Sequence, residues 1–258
     1  MSTFDTENDS TIVEPSSIDL SGRRALVTGS ARRTGRALAL ALARAGADVA
    51  VHCQQSRKDA ETVVREIEAL GQRSTLVQVD LRDAEAVDAA FDAAAQALGG
   101  LDILVHNVGT IVWKDFEALT SEEWRECIDG TLFVTLFASR AALPYMRRQR
   151  FGRIINILDV DADALNPVPY ATAYKIGKKA AYILTKTMAV TEAPHGITCN
   201  AVSPGTLEDS GEKPPLERMP SGRYGRYEDV ENAVLFLASE AAEHVTGAQL
   251  KVSGGYLI

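Results

Sequence analysis

Arg24-Ala25-Leu26-Val27-Thr28-Gly29-Ser30-Ala31-Arg32-Arg33-Thr34-Gly35-Arg36-Ala37 decides how the rest of the chain is read. A short apolar run ends in a glycine, and a second glycine opens an Ala/Leu-rich segment that extends to Ala45. The pattern predicts a strand, a tight turn and a helix. Glycine at the strand end permits the turn. Glycine at the helix start lets a phosphate group approach backbone N–H groups at the positive end of the helix. The usual fingerprint for such a turn has a third, middle glycine, and Arg33 stands there instead. An ordinary strand–turn–helix would show the same two glycines. Two features favour phosphate binding: this is the first such turn of the chain, and it carries Arg32, Arg33 and Arg36.

Working outward, short β-rich runs alternate with longer helical stretches. The predicted strands are Arg24–Thr28, Asp48–His52, Ser74–Val79, Leu101–His106, Arg153–Leu158, Ile197–Val202 and Gln249–Val252. The predicted helices are Gly35–Ala45, Lys58–Leu70, Ala84–Leu98, Ser121–Arg148, Ala171–Val190 and Glu228–Ala238, with Pro144 expected to kink or end the fourth. Strands alternating with helices imply a parallel sheet covered on both faces. Right-handed crossovers then lead to an α/β, doubly wound, seven-stranded Rossmann fold. One domain is expected over residues 19–258, preceded by a polar, acidic segment over 1–18 that reads as a flexible tail. Pro204 to Gly222 carries four prolines and no regular pattern. A loop that long in a compact domain is functional or mobile as a rule.

The 258 residues carry a formal charge of −8, with acids spread along the chain. That argues against a nucleic-acid surface. Cys53, Cys127 and Cys199 lie far apart, so neither a disulfide framework nor a metal site is expected. No apolar run approaches membrane-spanning length. The N-terminus lacks the basic and apolar regions of a signal peptide, so a soluble, cytoplasmic protein is expected.

A second constellation is Tyr170-Ala171-Thr172-Ala173-Tyr174-Lys175-Ile176-Gly177-Lys178-Lys179. Tyr174 and Lys178 are four apart and share one helix face. A phenol has a pKa of about 10, and a neighbouring ammonium favours its ionised form. Such a pair can move a proton in a reaction that makes a hydroxyl or an amine. Tyr182 and Lys186 have the same spacing. Only Tyr174 lies in the first turns after a strand, where crevices of open parallel sheets form. Tyr182 is eight residues on, about 12 Å further along the helix.

The end of the second strand discriminates between nicotinamide cofactors. An NAD site places a carboxylate there for the ribose hydroxyls. Here the residues are His52-Cys53-Gln54-Gln55-Ser56-Arg57, with no acid. Arg32, Arg33 and Arg57 can instead hold a 2′-phosphate. NADPH is therefore the expected cofactor.

From Leu20 to Ile258 the chain resembles the short-chain dehydrogenase/reductase family. The glycine turn, Asp80, His106-Asn107-Val108-Gly109, the Tyr174/Lys178 pair, Asn200 to Thr206 and Gly222 to Val230 fall in the family's order. The resemblance implies that Gly29, Ser30, Arg32, Arg33, Thr34 and Gly35 surround the cofactor phosphates. Asp80 and Leu81 would contact the adenine, and Asn107, Val108 and Gly109 would lie along the cofactor. Lys178 would bind the nicotinamide ribose and lower the Tyr174 pKa. Pro204, Gly205 and Thr206 would flank the carboxamide.

Within the family, Arg33 and the His52-x-x-x-Ser56 run resemble the pteridine-reductase-like branch, which implies 2′-phosphate contacts at His52, Cys53, Gln54 and Ser56. Gln55 departs from that branch's basic residue. The family's serine after strand five is replaced by Asp159, as in pteridine reductases. Asp159 lies 15 positions before Tyr174, and Asp161 would give the family's spacing. The family's helix asparagine, which supports a water in the proton relay, aligns with Thr131. The resulting expectation is NADPH-dependent reduction of a C=N group in a pteridine or cyclic imine, or of a C=O group, with Tyr174 as proton donor. The alternatives are a plain carbonyl or 3-oxoacyl-type reductase and a non-catalytic NADPH-binding protein. The resemblance also implies a homotetramer or homodimer.

Overall fold

The computed structural model of the chain describes residues 18–211 and 213–257. The segment expected to be a flexible tail lies outside the described residues, apart from Ile18. Seven strands form one sheet: β1 (Arg24–Val27), β2 (Asp48–Cys53), β3 (Ser74–Gln78), β4 (Ile103–His106), β5 (Gly152–Ile157), β6 (Ile197–Pro204) and β7 (Gln249–Val252). Every neighbouring pair is parallel, in the order β3-β2-β1-β4-β5-β6-β7. The chain builds one way from β1 to β3, then returns to place β4 on β1's other side. That reversal opens a crevice at the carboxyl ends of β1 and β4.

The helices are α1 (Arg33–Arg44), α2 (Arg57–Ala69), α3 (Ala84–Leu98), α4 (Ser121–Ile128), α5 (Val134–Gln149), α6 (Thr172–Thr191) and α7 (Tyr227–Ala238). Alternate strand residues point to opposite faces. Val27, Val49, Val51, Ile103 and Val105 pack with Leu38 and Leu42 of α1, Ile67 of α2 and Val230, Val234 and Leu237 of α7. Leu26, Leu104 and Ile154 face the other way, onto Phe91 and Leu98 of α3 and Val134, Ala138 and Met146 of α5. Burial on both faces is why these strands read as near-continuous apolar runs. Phe91 is fully buried, and truncating such a side chain to alanine costs about 3–5 kcal/mol.

The predicted helix Ser121–Arg148 is divided in the structure. Between α4 and α5, residues Asp129–Phe133 form a π-helical turn. Its cause is the loop after β4: the Thr110 N–H donates to the Gly130 carbonyl at 3.1 Å. A Cβ on Gly130 would lie 2.1 Å from the Thr110 Oγ1, so only glycine allows this approach. Pro144 neither ends nor breaks α5. It sits on the exposed side together with Arg140, where water can satisfy the carbonyl that proline leaves free. No helix among the described residues is long and apolar enough to cross a membrane.

Candidate active site

The crevice contains three connected hollows. The central cleft, about 570 Å3, is floored by the β1–α1 turn and by Asn107, Val108 and Gly109, and walled by Asp159, Tyr174 and Lys178. A smaller hollow of about 290 Å3 continues past Gly29 and Val108 to Gln54, Asp80 and Leu81. A wider mouth of about 780 Å3 opens on the other side, between Trp113, Lys175, Thr206, Lys213 and Tyr256.

Glycines shape the floor. Gly29 has φ +64°, and a Cβ there would lie 2.9 Å from Val108 Cγ2. A Cβ on Gly35 would meet the Gly29 carbonyl oxygen at 2.2 Å, so the helix start can pack this closely only without a side chain. At Gly109 a Cβ would approach the Lys178 Nζ to 3.1 Å. These bare backbone positions fit the pyrophosphate and ribose of a dinucleotide. Arg33, standing where the middle glycine is usual, is held at φ +51°, a left-handed conformation uncommon for a side-chain-bearing residue.

Two buried histidines hold the floor in place. His52 accepts the Gly29 N–H on Nδ1 at 2.9 Å, so its Nε2–H donates to the Val79 carbonyl at 3.1 Å. His106 donates from Nε2 to the Val134 carbonyl at 2.8 Å, and its Nδ1 lies 3.3 Å from Thr28 Oγ1. That same hydroxyl oxygen accepts the Asn107 N–H at 2.9 Å. Burial is the largest cause lowering both pKa values, to about 4 for His52 and about 3 for His106. Both rings are neutral at physiological pH and serve as fixed struts.

The residues expected at the 2′-phosphate are placed unevenly. Arg32 pairs with Asp59 at 2.5 Å, and Arg57 pairs with Glu61 at 2.8 Å. Arg33 donates to the Asp209 carboxylate at 2.9 Å and to its carbonyl at 3.0 Å. The Tyr227 hydroxyl donates to the same carboxylate. Arg33 is thus a latch across the cleft onto the long loop, through a pair about as exposed as that of Arg32. The Arg32 pair is surface-exposed, and such pairs contribute about 1 kcal/mol or less, so a phosphate can displace Asp59. Gln54 lines the smaller hollow and donates to Asp80 at 2.9 Å. Ser30 is spent on the backbone, donating to the Val27 carbonyl and accepting the His52 N–H. Cys53 is buried in the core cluster with Val51 and Val63. Neither Ser30, Cys53 nor Ser56 lines these hollows.

At the far wall, Tyr174 and Lys178 share the inner face of α6. The Lys178 Nζ donates to the Ile157 carbonyl at 2.7 Å and lies 5.6 Å from the Tyr174 ring centroid. Its pKa falls to about 8, first through burial, with the Asp159 charge pulling it back up. The expectation that Lys178 lowers the Tyr174 pKa is not met. Burial, then the charges of Asp159 and Asp161, push that phenol well above its ordinary value. Tyr174 therefore remains a protonated donor.

The open choice between the two acids is resolved by geometry. Asp159 lines both the cleft and its mouth. Asp161 is buried behind it, accepting from Asn166 and Lys175 at 3.1 Å each. Lys175 also reaches Asp159, at 2.6 Å. Burial acts to lower the Lys175 pKa, but the two carboxylates outweigh it and the net shift is upward. Thr131 lies outside the cleft lining. Its hydroxyl is within 3.3 Å of the Thr110 N–H and 3.4 Å of the Thr110 carbonyl, and its side chain packs where α6 presents Gly177.

Sequence reasoning missed Lys175, Asp209 and Trp113. Lys175 was visible beside Tyr174, but nothing in the sequence marks which acid it meets. Tyr182 lines none of the three hollows.

A doubly wound sheet with a glycine-floored cleft and a Tyr/Lys pair at its wall defines a nicotinamide-dependent oxidoreductase. The chain belongs to the short-chain dehydrogenase/reductase family: the family described as Enoyl-(Acyl carrier protein) reductase matches residues 29–257. The chain is 38% identical over 242 residues to a 3-oxoacyl-[acyl-carrier-protein] reductase of Staphylococcus aureus, covering 90% of this chain and 97% of the relative. It is 36% identical over 248 residues to 3beta-hydroxysteroid dehydrogenase 1 of Eggerthella lenta, covering 92% and 94%. Among solved structures, a gluconate 5-dehydrogenase from Burkholderia cenocepacia in complex with NADP and tartrate matches with a TM-score of 0.86 and 32% identity, covering 93% of this chain and 96% of that one. These relatives do not support the pteridine-reductase-like branch suggested by Arg33, His52 and Ser56.

Proposed function

We propose that the protein is an NADPH-dependent carbonyl reductase acting on a small ketone, with 3-oxoacyl thioesters the first substrate class to consider. One observation carries this reading: Tyr174, a neutral phenol, lines both the glycine-floored cleft and the wider mouth. It stands where a cofactor and a second small molecule would meet. The relatives' names support ketone reduction over imine reduction.

NADPH, when bound, supplies a hydride to the substrate carbon. Gly29, Thr34 and Gly35 would receive its phosphates, Asp80 and Leu81 its adenine end, and Lys178 the nicotinamide ribose. Arg32 would take the 2′-phosphate after releasing Asp59. On the protein's side, Tyr174 donates its hydroxyl proton to the substrate oxygen as charge develops there. Pro204 and Gly205 close the cleft opposite Tyr174.

Asp159 stands where the resemblance calls for a serine. An ionised carboxylate accepts hydrogen bonds only and would repel a developing alkoxide. The Lys175 ammonium at 2.6 Å offsets that charge. The second reading, reduction of a C=N group, rests on Asp159 itself, which suits a substrate N–H or a protonated imine. Assembly as a homotetramer or homodimer is part of the proposal, on family resemblance. Mixing the enzyme with NADPH and a panel of 3-oxoacyl thioesters, simple ketones and cyclic imines, and following NADPH oxidation, separates the readings. Oxidation with the imines alone would overturn the carbonyl reading.

A further inference from the structure

The opposite end of the sheet, at the start of β5 and β6, holds a second polar hollow of about 750 Å3 that the reductase chemistry does not use. Arg153 lines it and is only 3% exposed. Its guanidinium carbon lies 4.2 Å from the Phe151 ring centroid, and the Arg23 guanidinium stacks on that ring at 3.8 Å. Arg23 has a carboxylate partner, Glu240, at 2.7 Å. Arg153 has none among the described residues. Its bonds go to two carbonyls: Gly152 at 3.0 Å from Nη1 and Ser239 at 3.4 Å from Nε. The Nη2 donors are left over. A buried cation without a direct ion pair is costly; Glu243 and Glu240 act on it from a distance and offset part of that cost, while the Arg23 guanidinium adds repulsion.

Thr198 supplies an independent observation. It is paired in register with Arg153 across the β5–β6 ladder, so the two side chains stand together on one face. It is 5% exposed, and its Oγ1 is buried without a hydrogen-bond partner. Thr246, on the same wall, accepts the Cys199 N–H at 3.1 Å and keeps its own proton to donate. Arg150 lines the rim, with Pro194 O its partner at 3.0 Å. Arg153, Thr198, Thr246 and Arg150 thus line one hollow together, and the buried Thr198 hydroxyl, left without a partner, is unfavourable as it stands.

We propose that this hollow binds a small oxyanion, the phosphate or carboxylate group of a ligand, through Arg153, Thr198 and Arg150. Glu240 and Glu243 line the same hollow; Glu240 is paired with Arg23, and the Glu243 carboxylate opposes the bound anion. That gives the site two variants with opposite effects. Binding here is independent of turnover and of the cofactor assignment.

The test is calorimetric titration of the full-length protein with inorganic phosphate, and separately with acetate, at fixed ionic strength. NADPH is included in one arm so that phosphate binding in the catalytic cleft is suppressed. The expected result is binding that persists with NADPH, weakened at least threefold by Thr198→Val and tightened at least threefold by Glu243→Gln. Thr198→Val keeps the side-chain shape and removes only the hydroxyl, and Glu243→Gln lies on the rim, so both folds survive. The stronger of the two anions identifies the group the site is built for. Absence of binding by the wild-type protein to both anions, or affinities unchanged in both variants, would overturn the proposal.

Discussion

The Lys175 ammonium lies 2.6 Å from the Asp159 carboxylate and 3.1 Å from that of Asp161, one residue along the chain from Tyr174. A carboxylate beside the reacting centre would oppose formation of an alkoxide, and the neighbouring ammonium offsets that charge. Lys175→Met should therefore lower kcat on ketones at least tenfold, about 1.4 kcal/mol of barrier. Adding Asp159→Ser to that variant should recover most of the loss, because the uncompensated charge disappears with it. Asp159→Ser alone should shift the ratio of ketone to cyclic-imine turnover toward ketones. If the double variant is as impaired as Lys175→Met, the charge argument fails.

The depressed pKa of Lys178 predicts a pH profile. Burial lowers it from 10.5 to about 8, so the ammonium that would meet the nicotinamide ribose is lost as pH rises through about 8. The kcat/KM for NADPH, which reports the free enzyme, should be level below that pH and fall about tenfold per unit above it. Lys178→Arg, whose charge persists throughout this range, should bind NADPH with no such fall. A wild-type profile level to pH 10 would contradict the assignment.

In the proposed function, cofactor choice would turn on Arg32 and on the absence of an acid at the end of β2. NADPH should bind at least tenfold more tightly than NADH, about 1.4 kcal/mol. Arg32→Ala should erode that preference while leaving NADH affinity unchanged. Equal affinities of the wild-type protein for both cofactors would refute this.

Arg33 and Tyr227 latch Asp209, on the loop after β6, at the cleft. Asp209→Ala should raise amide hydrogen exchange in residues 206–219 at least tenfold. Cofactor and substrate together should slow exchange there in the wild-type protein, as for a closing lid. Unchanged exchange in both comparisons would remove the latch from the account.

Much of the fold was legible because it is local. Strands buried on both faces read as apolar runs, and the glycines at 29 and 35 mark a turn where a Cβ on Gly35 would strike the Gly29 carbonyl. The Tyr174/Lys178 pair was legible for the same reason, being four residues apart on one helix. What escaped the sequence depends on distant partners. The π-helical turn at Asp129–Phe133 is set by Thr110, on the loop after β4. Arg33 meets Asp209, 176 positions away, and so becomes a latch. The direction of the Tyr174 shift depends on its burial and on two acids from the loop after β5.

The central claim is that Tyr174 delivers the proton in an NADPH-dependent reduction. It is tested most directly by following NADPH oxidation with a 3-oxoacyl thioester in the wild-type, Tyr174→Phe and Tyr182→Phe proteins side by side, with NADPH affinity measured for each. The account predicts turnover by the wild-type and Tyr182→Phe proteins, and a loss of about 10²–10⁴-fold in Tyr174→Phe with NADPH affinity nearly unchanged. Full turnover by Tyr174→Phe, or loss of activity in Tyr182→Phe instead, would contradict it.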